Sequence, residues 1–390
     1  MRRIKQISAF SILLLIWSLI STPVAAQSIH WGNWMKADGY VKELGTLSFD
    51  DALKVFHYDN LIHNRINTHW TFTPHWTGEA DLRTRLFNGY SVDHEPGFAQ
   101  IAGHDNGLVN LSWNVINSKP FLLNTQIDRL YTTYYTNKWE LDVGRQRINW
   151  GRTLVWNPND LFNAYSYLDF DYEERPGSDA IRFQYFTGFA SGYEVAFKPA
   201  RNMKNSVAAF LVKQHSGEFD IQGLAGYYRN LLAIGGGWAG PIGDAGFKGE
   251  FTYFQSFLNM NDAYLVASTS LDYAFPSSLY LYGEFLYNGH WNRYMNPELI
   301  LSGSLSPSNL FIAKTAVFGE VQYPLSPLIT ATFSGITSTT QKMIILIPQV
   351  SLSVTNDIDF LLLAQVFRDK RFNRILNTPN ILYARLKWSF

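Results

Sequence analysis

The sequence predicts an all-β protein: a transmembrane antiparallel up-and-down β-barrel of about 16–18 strands with an inward-folding loop. Three observations predict it. Segments of about ten residues alternate apolar and polar side chains along most of the chain, the pattern of a strand with one face on lipid and the other on water. After residue 26 no run approaches the roughly 18 consecutive apolar residues that a spanning helix needs. The chain opens with an export-type segment and finishes on an alternating strand tipped by a phenylalanine.

Composition narrows the classes further. The 390 residues include 12 Trp, 22 Tyr and 28 Phe, and 32 basic residues balance 32 acidic ones. That balance excludes a basic nucleic-acid binder and a charged disordered tail. With no cysteine, a disulfide scaffold and a lipid-anchored cysteine are excluded as well.

Taken in chain order, Met1 to Ala26 reads as a signal peptide. Arg2, Arg3 and Lys5 precede an apolar stretch from Ile7 to Ile20, and Val24, Ala25 and Ala26 supply the small residues of a cleavage site. Removing it leaves 29 basic against 32 acidic residues. Residues 27–62 form an N-terminal segment, read as a first strand or a periplasmic seal, and residues 63–390 form the outer-membrane barrel. Alternating segments fall at 64–73, 76–87, 107–117, 121–135, 139–149, 178–187, 190–199, 205–214, 218–228, 230–240, 245–257, 263–273, 277–288, 310–323, 326–336, 343–354, 357–368 and 380–390. Gly240-Pro241-Ile242-Gly243, Pro276-Ser277-Ser278 and Asn356-Asp357 mark short turns between them. In such barrels short turns lie on one side and long connections on the other. Counting back from the last strand puts 150–177, 289–309 and 369–378 together on the outside, but 89–106 on the wrong side. A strand has therefore been miscounted before residue 121, and residues 37–48 are the expected missing one. A secreted sandwich or propeller would also alternate, but no blade-length repeat is present.

Inward faces carry the candidate functional residues, because lumenal side chains set what passes. In Trp76 to Phe87, Glu79, Asp81, Arg83 and Arg85 share one face and oppose Gly78, Ala80, Leu82, Thr84 and Leu86. These charges either create a field across the lumen or pair with one another to hold the wall. Further on, alternation from Leu141 and Val143 would turn Arg145 and Arg147 toward lipid. A bulge at Gly144 that re-aims them inward is the favoured reading, with Asp169, Asp171, Glu173, Glu174 and Asp179 as partner carboxylates.

The segment GRQRINWG, followed by WNPND and DYEERPGSDA, resembles a family of Bacteroidota outer-membrane β-barrel proteins. It is more distantly similar to porin-type barrels with a GRQ…WG strand and an inward loop. The resemblance spans about 40 residues and carries no substrate with it. It implies a porin-like channel constricted by the 150–177 loop, with Arg145, Arg147, Asn157, Pro158, Asp160, Glu173, Glu174, Arg175 and Gly177 as motif positions. In the last strand, Trp388 and Phe390 lie on an apolar face with Leu382, Ala384 and Leu386, opposite Tyr383, Arg385, Lys387 and Ser389. That face resembles the C-terminal signal that outer-membrane barrels present to their assembly machinery.

The expected function is a channel for small polar solutes, saccharides being one class, since 16 to 18 strands leave an aqueous lumen where about 8 would be filled. The expected partners are outer-membrane lipid, the barrel-assembly machinery and the solute, with a homo-oligomer open and no nucleic acid. The alternative is a component for export or assembly of an envelope polysaccharide or protein complex, docking through 27–60. Catalysis is disfavoured, because no G-x-S-x-G element is present and Asn288 with His290 lacks a matching nucleophile. No cofactor or metal is expected: seven of the nine histidines precede residue 105 without an H-E-x-x-H spacing.

Overall fold

The computed structural model describes residues 29–164, 166–171, 174–291, 305–338, 340, 343–368 and 380–390; the expected signal peptide lies outside them. The strands are β1 (Ile29–Trp31), β2 (Met35–Phe49), β3 (Phe56–Thr73), β4 (Trp76–Gly89), β5 (Ser112–Ser118), β6 (Phe121–Tyr135), β7 (Trp139–Gln146), β8 (Ser178–Gly188), β9 (Ser191–Lys198) and β10 (Val207–Ser216). They continue as β11 (Phe219–Tyr228), β12 (Leu231–Ile242), β13 (Ala245–Ser256), β14 (Ala263–Ala274), β15 (Tyr280–Asn288), β16 (Thr315–Ser326), β17 (Ile329–Ser338), β18 (Met343–Ser353), β19 (Ile358–Arg368) and β20 (Asn380–Ser389). Two short helices, α1 (Tyr90–His94) and α2 (Phe98–Ala102), lie between β4 and β5.

Consecutive wall strands pair antiparallel, and β2 pairs β20 to close an 18-strand barrel. The seam runs from Tyr40↔Ser389 to Phe49↔Asn380. It is extended by reciprocal backbone bonds between Gly39 and Phe390, at 2.8 and 2.9 Å. Alternation decides which face is which. Ile66, Leu82, Val143, Ile181, Leu265, Val317 and Leu362 are exposed on the outside of the wall, while their neighbours one residue away point into the lumen.

The strand expected at 37–48 is present, while the boundary at residue 63 and the segment 107–117 need correction. The wall begins at Met35, ahead of the boundary at residue 63, with β2 covering the segment 37–48 suspected of being a missing strand. Its alternation is masked because the inward face carries Tyr40 and Leu44 while Glu43 lies on the other face. The segment 107–117 is not a wall strand of its own. β5 pairs with β6 alone, alongside the upper half of β6, while β7 pairs with the lower half. Discounting it brings 90–111 to the same end as 147–177 and the β15–β16 connection, so all the long connections share one end.

The lumen is not uniformly polar. Trp150, Val155, Trp156, Leu161, Phe162 and Leu168 of the 147–177 segment, with Leu310 to Ala313, form an apolar core against inward side chains such as Leu211, Phe254, Leu286, Phe318, Ile345 and Phe367. Residues 310–314 were expected to be strand, but they precede β16 and are packed inside the barrel. Phe318 lies on the otherwise polar face of β16 because it seats the loop: its ring meets Tyr167 at 5.0 Å.

Candidate functional site

The 147–177 segment runs around the inside of the wall, strapped down by inward carboxylates. Trp150 Nε1 donates to Glu194 of β9 at 2.6 Å. Glu250 of β13 accepts from Arg152 N, Thr153 N, Thr153 Oγ1 and Asn159 N. Glu284 of β15 accepts from Val155 N and Trp156 N at 3.0 and 2.9 Å. Tyr167 Oη then donates to Glu320 of β16 at 3.0 Å, and Leu168 O accepts from Gln365 of β19 at 3.0 Å. A carboxyl group that takes several N–H donors answers the backbone groups an irregular segment would otherwise leave bare inside a protein.

The opposite wall is basic. Lys387, Lys42, His63 and Arg85 stand in register across β20, β2, β3 and β4, with Arg65 paired to Arg83 one step below. Arg65 is matched by Asp81 at 2.8 Å and by Asp128. Asp128 reaches the lumen because the β4–β6 register shifts beside it, which turns Asp128 and Arg129 inward together. The loop returns to this wall at its far end. Asp171 Oδ1 lies 3.3 Å from Lys42 Nζ and 3.3 Å from His63 Nδ1. Those charges hold the Asp171 carboxyl well below the usual carboxylate range, overriding its burial. Arg129 then donates to the carbonyls of Glu174 and Arg175 at 2.9 and 2.6 Å.

Of the residues singled out in the sequence, Glu79, Asp81, Arg83 and Arg85 all face inward, as the alternation indicates. Arg83 donates to Gln126 at 2.7 Å and Arg85 to Asn124 at 2.9 Å. Of its expected partner carboxylates Arg145 meets Asp179. It grips Asp179 (2.6 and 3.0 Å), Asp105 (2.8 Å) and the carbonyl of Val109 (2.7 Å), pinning the β4–β5 connection to the top of β7 and β8. No residue is inserted at Gly144, since the ladders on both sides run through it unbroken. Its φ of +126° is what the backbone needs there, in a region closed to other residues. Gly107 leaves the room: a Cβ on it would come within 1.9 Å of the Arg145 guanidinium.

Arg147 lies instead on a cavity of about 410 Å³ that is lined also by His69, Glu79, Tyr131, Glu140, Asp142 and Arg182. Asp160 is buried in the loop, where burial pushes its carboxyl up to about 6 against the pull of Arg175 and Arg147. Asp169 accepts from Asp171 N at 3.2 Å, and Arg175 takes a φ of +61°. Glu173 lies outside the described residues. The rings of Trp388 and Phe390 meet at 5.3 Å, tilted by 45°.

Sequence reading passed over Lys42, His63, Arg65, Asp128, Glu194, Glu250 and Glu284. His63 and Arg65 share the inward face of β3 and Asp128 stands beside Arg129, whereas Glu284 is the one charged residue of a mostly apolar and aromatic strand. That is a usable signal, because such a group is tolerated only where it finds a partner inside.

No protein-family model matches the chain, and no curated protein does. Similar solved structures include OccAB1 of Acinetobacter baumannii, at TM-score 0.60 and 7% identity over 94% of this chain and 99% of that one. OccAB2 of the same organism follows at 0.56 and 8%, over 91% and 98%. OccD3 (OpdP) of Pseudomonas aeruginosa follows at 0.53 and 9%, over 96% and 97%. The chain has the fold of an outer-membrane porin. At 7–9% identity the likeness is one of fold.

Proposed function

We propose that the protein is a porin-like channel of the outer membrane for small polar solutes, saccharides among them, constricted by the 147–177 segment. The observation that carries this reading is the closed 18-strand wall whose inner face holds an acidic strap on one side and a basic row on the other. A wall of that size encloses a lumen wider than side chains alone can fill. The segment then decides how much of it stays open. In this reading residues 1–26 direct export, the long connections face outward, and the short turns face the periplasm. Trp388 and Phe390 serve the assembly machinery, and the exposed apolar face meets lipid or further copies of the chain. The role is passage, not catalysis.

Single-channel recording tests it. Purified protein in a planar bilayer should give discrete, steady conductance steps that small sugars reduce in a concentration-dependent way. Folded, heat-modifiable protein that never conducts would overturn the reading.

A further inference from the structure

The outer face of β15 to β20 is furrowed and carries charge only at one end. Gly283, Gly319 and Gly335 point outward and stand opposite one another on β15, β16 and β17. With Leu281, Val317, Val321, Phe333 and Leu346 around them they leave a furrow of about 520 Å³. A second furrow of about 520 Å³ continues it toward β20, sharing Val321 and Phe333 and passing Pro348, Leu362 and Leu382. A Cβ added at Gly283 or Gly319 would meet nothing within 4 Å. The protein does not fill these furrows itself, and what fills them on an apolar wall is hydrocarbon.

Among the outward side chains of β15 to β20 Arg368 is the one charge. It ends the row Val317, Thr337, Ile344, Arg368, which crosses four strands at one level. Its ion pair with Asp51, at 3.1 Å, is half-exposed, so an arriving anion displaces Asp51 at little cost. Lys314, just ahead of β16, is exposed, lies 5.9 Å from the outward ring of Tyr287 and makes no ion pair among the described residues. Both cations lie at the end of the long connections. Between them stand the hydroxyls of Thr337, Thr315 and Thr340, the last two 2.9 Å apart.

An apolar furrow headed by cations is complementary to an amphiphile with an acidic head. We propose that the outer face of β15 to β20 is a seat for a phosphate-bearing glycolipid, with its acyl chains in the two furrows and its phosphates at Lys314 and Arg368. Three strand spacings, about 14 Å, separate Arg368 from Val317 on β16, so a head with two phosphates set apart serves both cations at once. The threonine hydroxyls suit the sugar that joins them. The seat is on the outside of the wall and goes beyond the channel reading, resting on it only for the membrane and for which end faces outward.

Native mass spectrometry of the full chain in detergent tests the seat without requiring conductance. The titrants are diphosphorylated lipid A, the same lipid stripped of its phosphates, and phosphatidylglycerol. Wild type should hold lipid A about 10-fold or more tightly than either control. Lys314→Gln with Arg368→Gln should bring lipid A down to the level of the dephosphorylated lipid. Gly283→Leu with Gly319→Leu, which fills the first furrow, should weaken all three lipids. Lys36→Gln, at the other end of the wall, should leave them unchanged. Lipid A binding that survives loss of both cations, an equal loss in Lys36→Gln, or equal retention of phosphatidylglycerol would overturn the seat. So would a glycine variant that loses a dimer but no lipid, which assigns the face to a second copy. Should the glycine variant not fold, the charge variant decides. Lipid held by a barrel that never conducts refutes the channel reading alone.

Discussion

Arg145 and Arg147 stand two residues apart and have different tasks. Arg145 is buried among Asp179, Asp105 and two carbonyls. Truncating it strands two buried carboxylates, and Arg145→Ala should cost about 3–5 kcal/mol of stability. Arg145→Lys should recover little of that, because an ammonium cannot reproduce the two-pronged bond to Asp179. Arg147→Ala should leave the unfolding midpoint almost unchanged, and denaturant unfolding of the three variants separates the roles. Asp160 gives a pH test. Its carboxyl titrates near 6 when folded and near 3.9 when unfolded. Between those values the folded state binds more protons, so stability falls as pH rises from about 4 to about 6. Asp160→Asn should flatten that slope in melting curves across the window, and an unaltered slope would assign it to another group. At this scale alternation made Glu79, Asp81, Arg83 and Arg85 legible as lumenal, since facing depends on parity alone. Partners were not legible: nothing along the sequence links Arg145 to Asp105 or Asp171 to Lys42.

Among the elements, the 147–177 segment is the one on which the proposed passage turns. Its first half hangs on two glutamates, Glu250 and Glu284, which between them accept five backbone N–H groups. Replacing both with Ala should release residues 150–159 from the wall while the strand ladders survive. Single-channel conductance should rise about two-fold or more, and the segment should become cleavable by added protease. Unaltered conductance with a cleaved loop would place the constriction elsewhere. The inward path of this loop was implied by its resemblance to porin loops, and Glu284 could have been suspected as the one charge of its strand. β5 misled for a physical reason. It pairs with β6 along one edge only and most of its residues are exposed, so an alternating sequence does not by itself make a strand a member of the ring.

For the molecule as a whole, the barrel was legible because most wall strands carry one apolar and one mixed face. The division of its interior was not. An apolar loop core fills the side lined by β8 to β19, while the charged wall of β20 and β2 to β6 stays polar. The two regions differ only in which inward residues are apolar, and those read as lapses in the pattern until the loop that covers them is known. Phe318 is such a lapse, resolved by Tyr167.

The seam between β2 and β20 has a consequence in time as well as in space. Residues 39–49 find their second neighbour only in residues 380–390, so the first strand of the wall waits for the last before it is covered. Until then the growing sheet has two bare edges, each able to recruit a strand from another molecule. Contacts this far apart along a chain form slowly. Ring closure is therefore the step most open to error, and a chaperone that shields the β2 edge would act earliest and longest in assembly.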